Sequence, residues 1–200
     1  MRSDEEAWEV PDDTGIARFD LATYRRGDLG PGRSRALLLL WYVTSALLFE
    51  SAWFPFSRAK AALLRCFGAV VGKGLVIKPN VRVKYPWRLT IGDFVWIGQG
   101  VWIDCLAEVS IGSNTCLSQG VYVCTGSHDP TKPTFDLVLR EVVIGEGTWV
   151  AARAVILPGV HLHGRSVVAA GAVVTRDHAA GQFLAGVPAR SVPSKSVAEP

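Results

Sequence analysis

Aliphatic residues recur at every sixth position from Ile144 to Val174: Ile144, Val150, Ile156, Leu162, Val168 and Val174. A period of six fits neither an α-helix nor an ordinary strand, whose apolar positions repeat near every third-to-fourth or every second residue. It marks a parallel β-helix, in which each hexapeptide supplies one flat side of a three-sided coil. With short insertions allowed, the phase runs back through Val71, Ile77 and Val83, then Ile91, Ile97 and Ile103, then Ile111, Leu117 and Val123. Four residues after the aliphatic position stands a small or β-branched residue in most hexads: Val81, Val95, Val101, Ala107, Thr115, Val121, Thr148, Ala154, Val160, Ser166 and Ala172. Such side chains suit a pleated surface. Gly72, Gly92, Gly98, Gly112 and Gly145 directly follow aliphatic positions, where the coil turns and a side chain would be crowded.

Grouped in threes, the hexads predict an all-β parallel β-helix of about five coils, starting near Val71, Ile91, Ile111, Ile144 and Leu162. A coil needs about eighteen residues, so the longer interval from Ile111 to Ile144 must contain an excursion. Residues 124–142, with Gly126, Pro130 and Pro133, read as a projecting loop, and long loops on rigid repeats are where function concentrates. The rest divides into an acidic flexible tail over 1–20, a helical apolar and basic segment over 21–70, the β-helix over 71–180 and a C-terminal tail over 181–200.

Two hundred residues suffice for one domain, and a net charge of +3 is too weak to argue for nucleic acid. Its distribution says more. Residues 1–20 hold seven acids and two bases; residues 21–66 hold seven bases and two acids. The apolar stretch Ala36–Phe49 is shorter than the roughly twenty residues that cross a bilayer, Glu50 closes it, and no secretory signal is evident, so the chain reads as cytoplasmic. Either this segment packs on the β-helix flank or a neighbouring subunit, or Trp41, Trp53, Phe54 and Phe56, with Arg33, Arg35, Arg58 and Lys60, hold it on the inner face of an anionic membrane.

Cys66, Cys105, Cys116 and Cys124 lack metal-binding spacing; the three inside or beside hexads, Cys105, Cys116 and Cys124, read as reduced core residues, with Cys124 an alternative acyl-carrying nucleophile. Of four histidines, His128 stands in the projecting loop between Ser127 and Asp129, where a neutral imidazole can meet a substrate hydroxyl. His161 and His163 fall where two hexads meet and read as exposed turn residues; no metal site is expected.

The hexads, the loop histidine, and the runs Ile156–Leu162, Val173–Asp177 and Ala185–Arg190 resemble the hexapeptide-repeat acetyltransferases. The resemblance narrows to those of colanic-acid and related exopolysaccharide biosynthesis on Trp41 and Tyr42, Tyr85–Trp87, Ser118–Gly120 and Cys124–Asp129. It implies a left-handed β-helix, although the general crossover rule favours the opposite hand. It implies also a homotrimer, with acetyl-CoA in the cleft between adjacent subunits and a sugar or lipid-linked saccharide as acceptor. His128 would be the general base, Asp129 or Asp104 a second catalytic group, and Ala152, Ala170, Thr175, Arg176 and Arg190 the contacts to CoA. Leu162, His163 and Gly164 depart from the usual aliphatic-Gly step, and Val187 replaces a commoner Asn in the closing motif. The expectation is an acetyl-CoA-dependent O-acetyltransferase acting on a sugar hydroxyl. A metal-dependent carbonic-anhydrase-like enzyme and a non-catalytic scaffold are the alternatives.

Overall fold

The computed structural model describes residues 15–24, 26 and 29–193. Most of the expected acidic tail, residues 1–14, and the end of the C-terminal tail, 194–200, lie outside the described residues. The described residues form two compact units: those from 31–126 with 139–193, and those from 15–30 with 127–138.

The larger unit is the β-helix. Its first sheet stacks Val70–Val71, Leu89–Ile91, Val109–Ile111, Val142–Ile144 and His161–Leu162 in parallel. The second stacks Val76–Ile77, Trp96–Ile97, Cys116–Leu117, Trp149–Val150, Val167–Val168 and Phe183–Ala185. The third stacks Arg82–Val83, Trp102–Asp104, Tyr122–Cys124, Val155–Ile156 and Val173–Val174. The chain visits the three sheets in turn, winding a left-handed solenoid. All fifteen aliphatic positions named from the repeat are buried, and of the small-residue series only Ala107 is not. The two periodic positions therefore fill the prism from its sides and its corners. At one corner the coils approach so closely that a Cβ on Gly112 would lie 2.4 Å from the Glu146 nitrogen. Glycine is required there by the spacing of the coils.

The solenoid extends beyond the expected five coils and past residue 180. His178 bridges Leu162 and Phe183–Ala185 joins the second sheet, so a sixth, incomplete coil forms from residues expected to be tail. Its phase has slipped: His178 follows Leu162 by sixteen positions instead of eighteen, and a histidine occupies the aliphatic place. A search for aliphatic sixths passes over it. Arg190–Val192 then folds back antiparallel on Phe183–Ala185 and ends the sheet.

At the other end the first coil presents three strand edges, which would template aggregation if left open. The N-terminal segment closes them. Helix α1 (Arg35–Thr44) runs into a π-helical turn, Ser45–Phe49, and is followed by α2 (Ser57–Cys66). Arg65 donates to the Val71 and Gly72 carbonyls on the first side. Ser57 exchanges bonds with Ile77, and Lys60 Nζ donates to the Lys78 carbonyl at 3.1 Å, on the second. On the third, Val81 donates to Phe49 and Trp41 Nε1 donates to the Val83 carbonyl at 2.9 Å. The segment thus packs on the β-helix, and two residues expected at a membrane surface are turned inward. Trp41 is 3% exposed, and Lys60 is fully buried, its ammonium pulled down by desolvation. The outer side of α1 stays apolar and open at Leu39, Leu40, Tyr42 and Val43. No described helix is long and apolar enough to cross a membrane.

The smaller unit is built on the projecting loop. Gly126–His128 pairs with Leu137–Leu139. Within the unit, the Ala17 and Asp20 amides bond the Pro130 and Pro133 carbonyls, and Asp20 caps a short 3-10 turn at Leu21–Thr23.

Candidate active site

His128 ends the first strand of the loop hairpin. Its Nδ1 lies 2.9 Å from the Phe135 carbonyl oxygen, and its ring stacks on the Phe135 ring at 4.1 Å with 6° between planes. Tyr24 flanks the imidazole at 5.9 Å, and Phe19 backs Phe135 at 4.6 Å. A carbonyl can only accept, so this bond puts the proton on Nδ1 and leaves the lone pair on Nε2. Phe135 holds a left-handed backbone, φ 50°. A bulky aromatic rarely adopts that region, and such strain collects at functional sites. The sequence held one signal for Phe135, the sole Phe, Tyr or Trp among residues 124–142.

Asp129 is next to His128 but bonds elsewhere. Its Oδ1 accepts from the Thr131 hydroxyl at 2.6 Å and the Thr131 amide at 3.0 Å, and Lys132 Nζ stands 3.9 Å from Oδ2. The bonds from Thr131 hold the Asp129 carboxyl below its usual range. Asp136 is likewise lowered, first by Thr134 and then by Lys132, and pairing with Asp136 raises Lys132. This exposed cluster shapes the loop whose turn places Phe135 beside His128.

In the β-helix unit, Asp104 stands in register with Cys124 on the third sheet. It is 5% exposed, with Lys84 Nζ 3.3 Å from Oδ1, too poorly aligned for a hydrogen bond. The Cys124 thiol donates to the Gly126 carbonyl at 3.1 Å and accepts from the Tyr122 hydroxyl at 3.2 Å. Burial, and then the bond to Cys124, push the Tyr122 phenol up, so it remains a donor. Cys105 is fully buried and pushed up to about 12, chiefly by desolvation, whereas Cys66 is exposed.

The residues expected to meet CoA occupy different edges of the prism. Ala152 and Ala170 sit in turns between the second and third sheets, and these turns stack: the Ala152 carbonyl accepts from Gly171 at 2.9 Å. Thr175 and Arg176, both exposed, lie on the next edge, between the third and first sheets. Arg190 is exposed on the returning C-terminal strand. His161 Nε2 lies 3.5 Å from Glu141, and among the described residues no three metal-ligating side chains converge.

Residues 141–176 match the model for the bacterial transferase hexapeptide (six repeats). WcaF, a provisionally assigned colanic acid biosynthesis acetyltransferase of Escherichia coli (strain K12), is 41% identical over 152 residues, covering 75% of this chain and 82% of the relative. The chain belongs to the hexapeptide-repeat acetyltransferases. Within that family, galactoside O-acetyltransferase of Escherichia coli (strain K12) is 28% identical over 136 residues, spanning 66% of this chain and 67% of its own. Among solved structures, a hexapeptide-repeat acetyltransferase of Vibrio cholerae complexed with acetyl coenzyme A superposes with a TM-score of 0.72 at 25% identity, covering 80% of this chain and 87% of that one. In this hexapeptide-repeat acetyltransferase the chain between Cys124 and Val142 carries the paired strands Gly126–His128 and Leu137–Leu139.

Proposed function

We propose that the protein transfers an acetyl group from acetyl-CoA directly to a hydroxyl of a saccharide, with His128 as general base. The observation that carries this reading is the Phe135 carbonyl on His128 Nδ1, which leaves Nε2 as the basic atom. In the step, Nε2 takes the acceptor hydroxyl proton as its oxygen attacks the thioester carbonyl carbon. The tetrahedral intermediate collapses with cleavage of the carbon–sulfur bond, and the imidazolium returns the proton to the departing CoA sulfur. No acyl-enzyme is required. Cys124 has its thiol hydrogen engaged by Gly126, which favours direct transfer. The acetyl-CoA complex of the Vibrio cholerae structure supports the donor. The names of WcaF and of galactoside O-acetyltransferase support a saccharide acceptor.

Asp129 serves this mechanism by shaping the loop, and Asp104 by lining the third sheet with a buried carboxylate for acceptor hydroxyls. CoA lies in a groove between subunits of a homotrimer, contributed by Ala152 and Ala170 of one edge and by Thr175 and Arg176 of another, with Arg190 for a phosphate. That these groups occupy two edges of one prism fits a groove that takes one edge from each neighbour. Sedimentation should therefore give three chains per particle; a monomer that still binds CoA would remove the shared groove. The open apolar side of α1, with Arg33, Arg35 and Arg58, rests on an anionic membrane surface. Co-flotation with phosphatidylglycerol vesicles, lost at high salt, is the expected result, and its absence removes the attachment.

His128→Ala should lower acetyl transfer about a hundred- to ten-thousandfold, the usual worth of a general base. The CoA-induced rise in Tm should persist, since a ligand that binds only the folded state stabilises it. Release of CoA thiol against a panel of saccharides measures the first. Undiminished transfer by the variant takes His128 out of the mechanism.

A further inference from the structure

Two adjoining cavities lie against the third sheet, both within the β-helix unit. One, about 620 Å³, is bounded on its apolar side by Leu38, Leu39, Trp41 and Tyr42 of α1 and by Trp102. The other, about 550 Å³, has polar walls at Asn80 and Glu50 and a platform of Trp102 stacked on Tyr122 at 4.7 Å. They share Glu50, Arg82 and Trp102 and so form one groove with an apolar arm and a polar arm. Each arm is of the size that holds a small organic ligand.

Charge is concentrated in the apolar arm. Arg35, Arg82 and Lys84 line it against a single carboxylate, Glu50. Arg82 pairs with Glu50 at 3.4 Å and Lys84 with Asp104 at 3.3 Å, so two of these cations are partly answered within the protein. Arg35 stands in the first turn of α1, which holds no acid. A cation there opposes the helix dipole and costs stability; an anion in the groove would repay it. Leu39 and Tyr42 line the cavity yet are 64% and 71% exposed, so the apolar arm opens on the bare side of the helix.

We infer that this groove binds an amphiphile: a hydrocarbon chain in the apolar arm, a phosphate at Arg35, Arg82 and Lys84, and a sugar ring on the Trp102–Tyr122 platform. The chemistry is that of a saccharide carried on a lipid phosphate. Its role as the acetyl acceptor rests on the transferase reading above; the binding itself does not. Aromatic faces suit the apolar faces of sugar rings, and the Asn80 and Glu50 side chains can bond ring hydroxyls. The stem of Arg82 carries hydrocarbon along the junction while its head stays charged.

The test uses the full-length protein and farnesyl phosphate below its micelle concentration, read by quenching of tryptophan fluorescence, since Trp41 and Trp102 line the groove. Saturable binding is expected, at least tenfold tighter than for farnesol or inorganic phosphate. Leu39→Gln and Arg35→Gln, both at exposed helical positions, should each weaken it tenfold or more while leaving the CoA-induced Tm rise intact. Equal binding of farnesol, unsaturable quenching or unaffected variants overturns the inference. A change of particle size in Leu39→Gln overturns it too, by giving this face to a subunit interface. Binding of farnesyl phosphate without any CoA-induced shift would instead keep the groove and remove the transferase reading.

Discussion

A backbone carbonyl can orient an imidazole as well as a carboxylate can, and in this loop the carbonyl of Phe135 does so while the ring of the same residue stacks on His128. One strained residue thus supplies both the tautomer and the plane of the ring. Phe135→Ala keeps the carbonyl but removes the stacking partner and the contact to Phe19. Transfer should then fall about tenfold in kcat with the KM for acetyl-CoA little changed, because misorientation of a base acts on the reacting geometry and not on donor binding. Steady-state kinetics on the variant decide it; a change confined to KM would make Phe135 a binding residue. The neighbouring Asp129 was an attractive partner for His128 on sequence alone. Adjacent residues on a turning chain point apart, and the shorter reach to Thr131 captured its carboxylate.

At the scale of the element, the loop is held by small, exposed interactions in place of a core of its own. Asp129 and Asp136 are lowered and Lys132 is raised. A depressed carboxylate pKa contributes order that is complete above the ordinary carboxylate range and is lost as pH falls through the depressed values. A raised lysine pKa contributes order present below the ordinary ammonium range and lost as pH rises through the raised value. The loop should therefore hold across neutrality and loosen on acidification before the solenoid does. Amide hydrogen exchange at Thr131 and Phe135, followed against Val123 and Ile156 in the buried strands, measures this. All three groups are solvent-exposed, so the effect should shrink at high salt. Uniform exchange of loop and solenoid across the acid range would contradict it. The cap follows a different logic: α1 and α2 answer strand edges with named donors and acceptors, which fixes the register of the first coil.

Across the whole molecule, stability is a sum over stacked coils, each touching only its neighbours. A single corner therefore matters out of proportion to its size. In Gly112→Ala the added methyl group meets the backbone of the next coil at 2.4 Å, where nothing flexible can yield. Overpacking of this kind costs about 1–3 kcal/mol, or roughly 2–12 °C of Tm in a chain this long. Calorimetry of the variant checks the figure, and an unchanged Tm would show that the coils can part at that corner. The outward row of the second sheet leaves Trp96 and Trp149 60% and 50% exposed.

The repeat was legible because burying an aliphatic residue on each side of a three-sided coil imposes its own period, and fifteen side chains obey it. The loop was legible as a fault in that period, and His128 as the histidine within it. The sixth coil was not, since two missing residues and a histidine in an aliphatic place erase the pattern while the backbone bonds continue it. Nor could the chain alone reveal that Lys60 is buried on the Lys78 carbonyl, or that Phe135 turns its carbonyl to His128. Periodicity records which side chains leave water. Which polar atoms then meet depends on contacts between residues far apart in the chain or turned by a strained backbone, and these exist only once the coils have stacked.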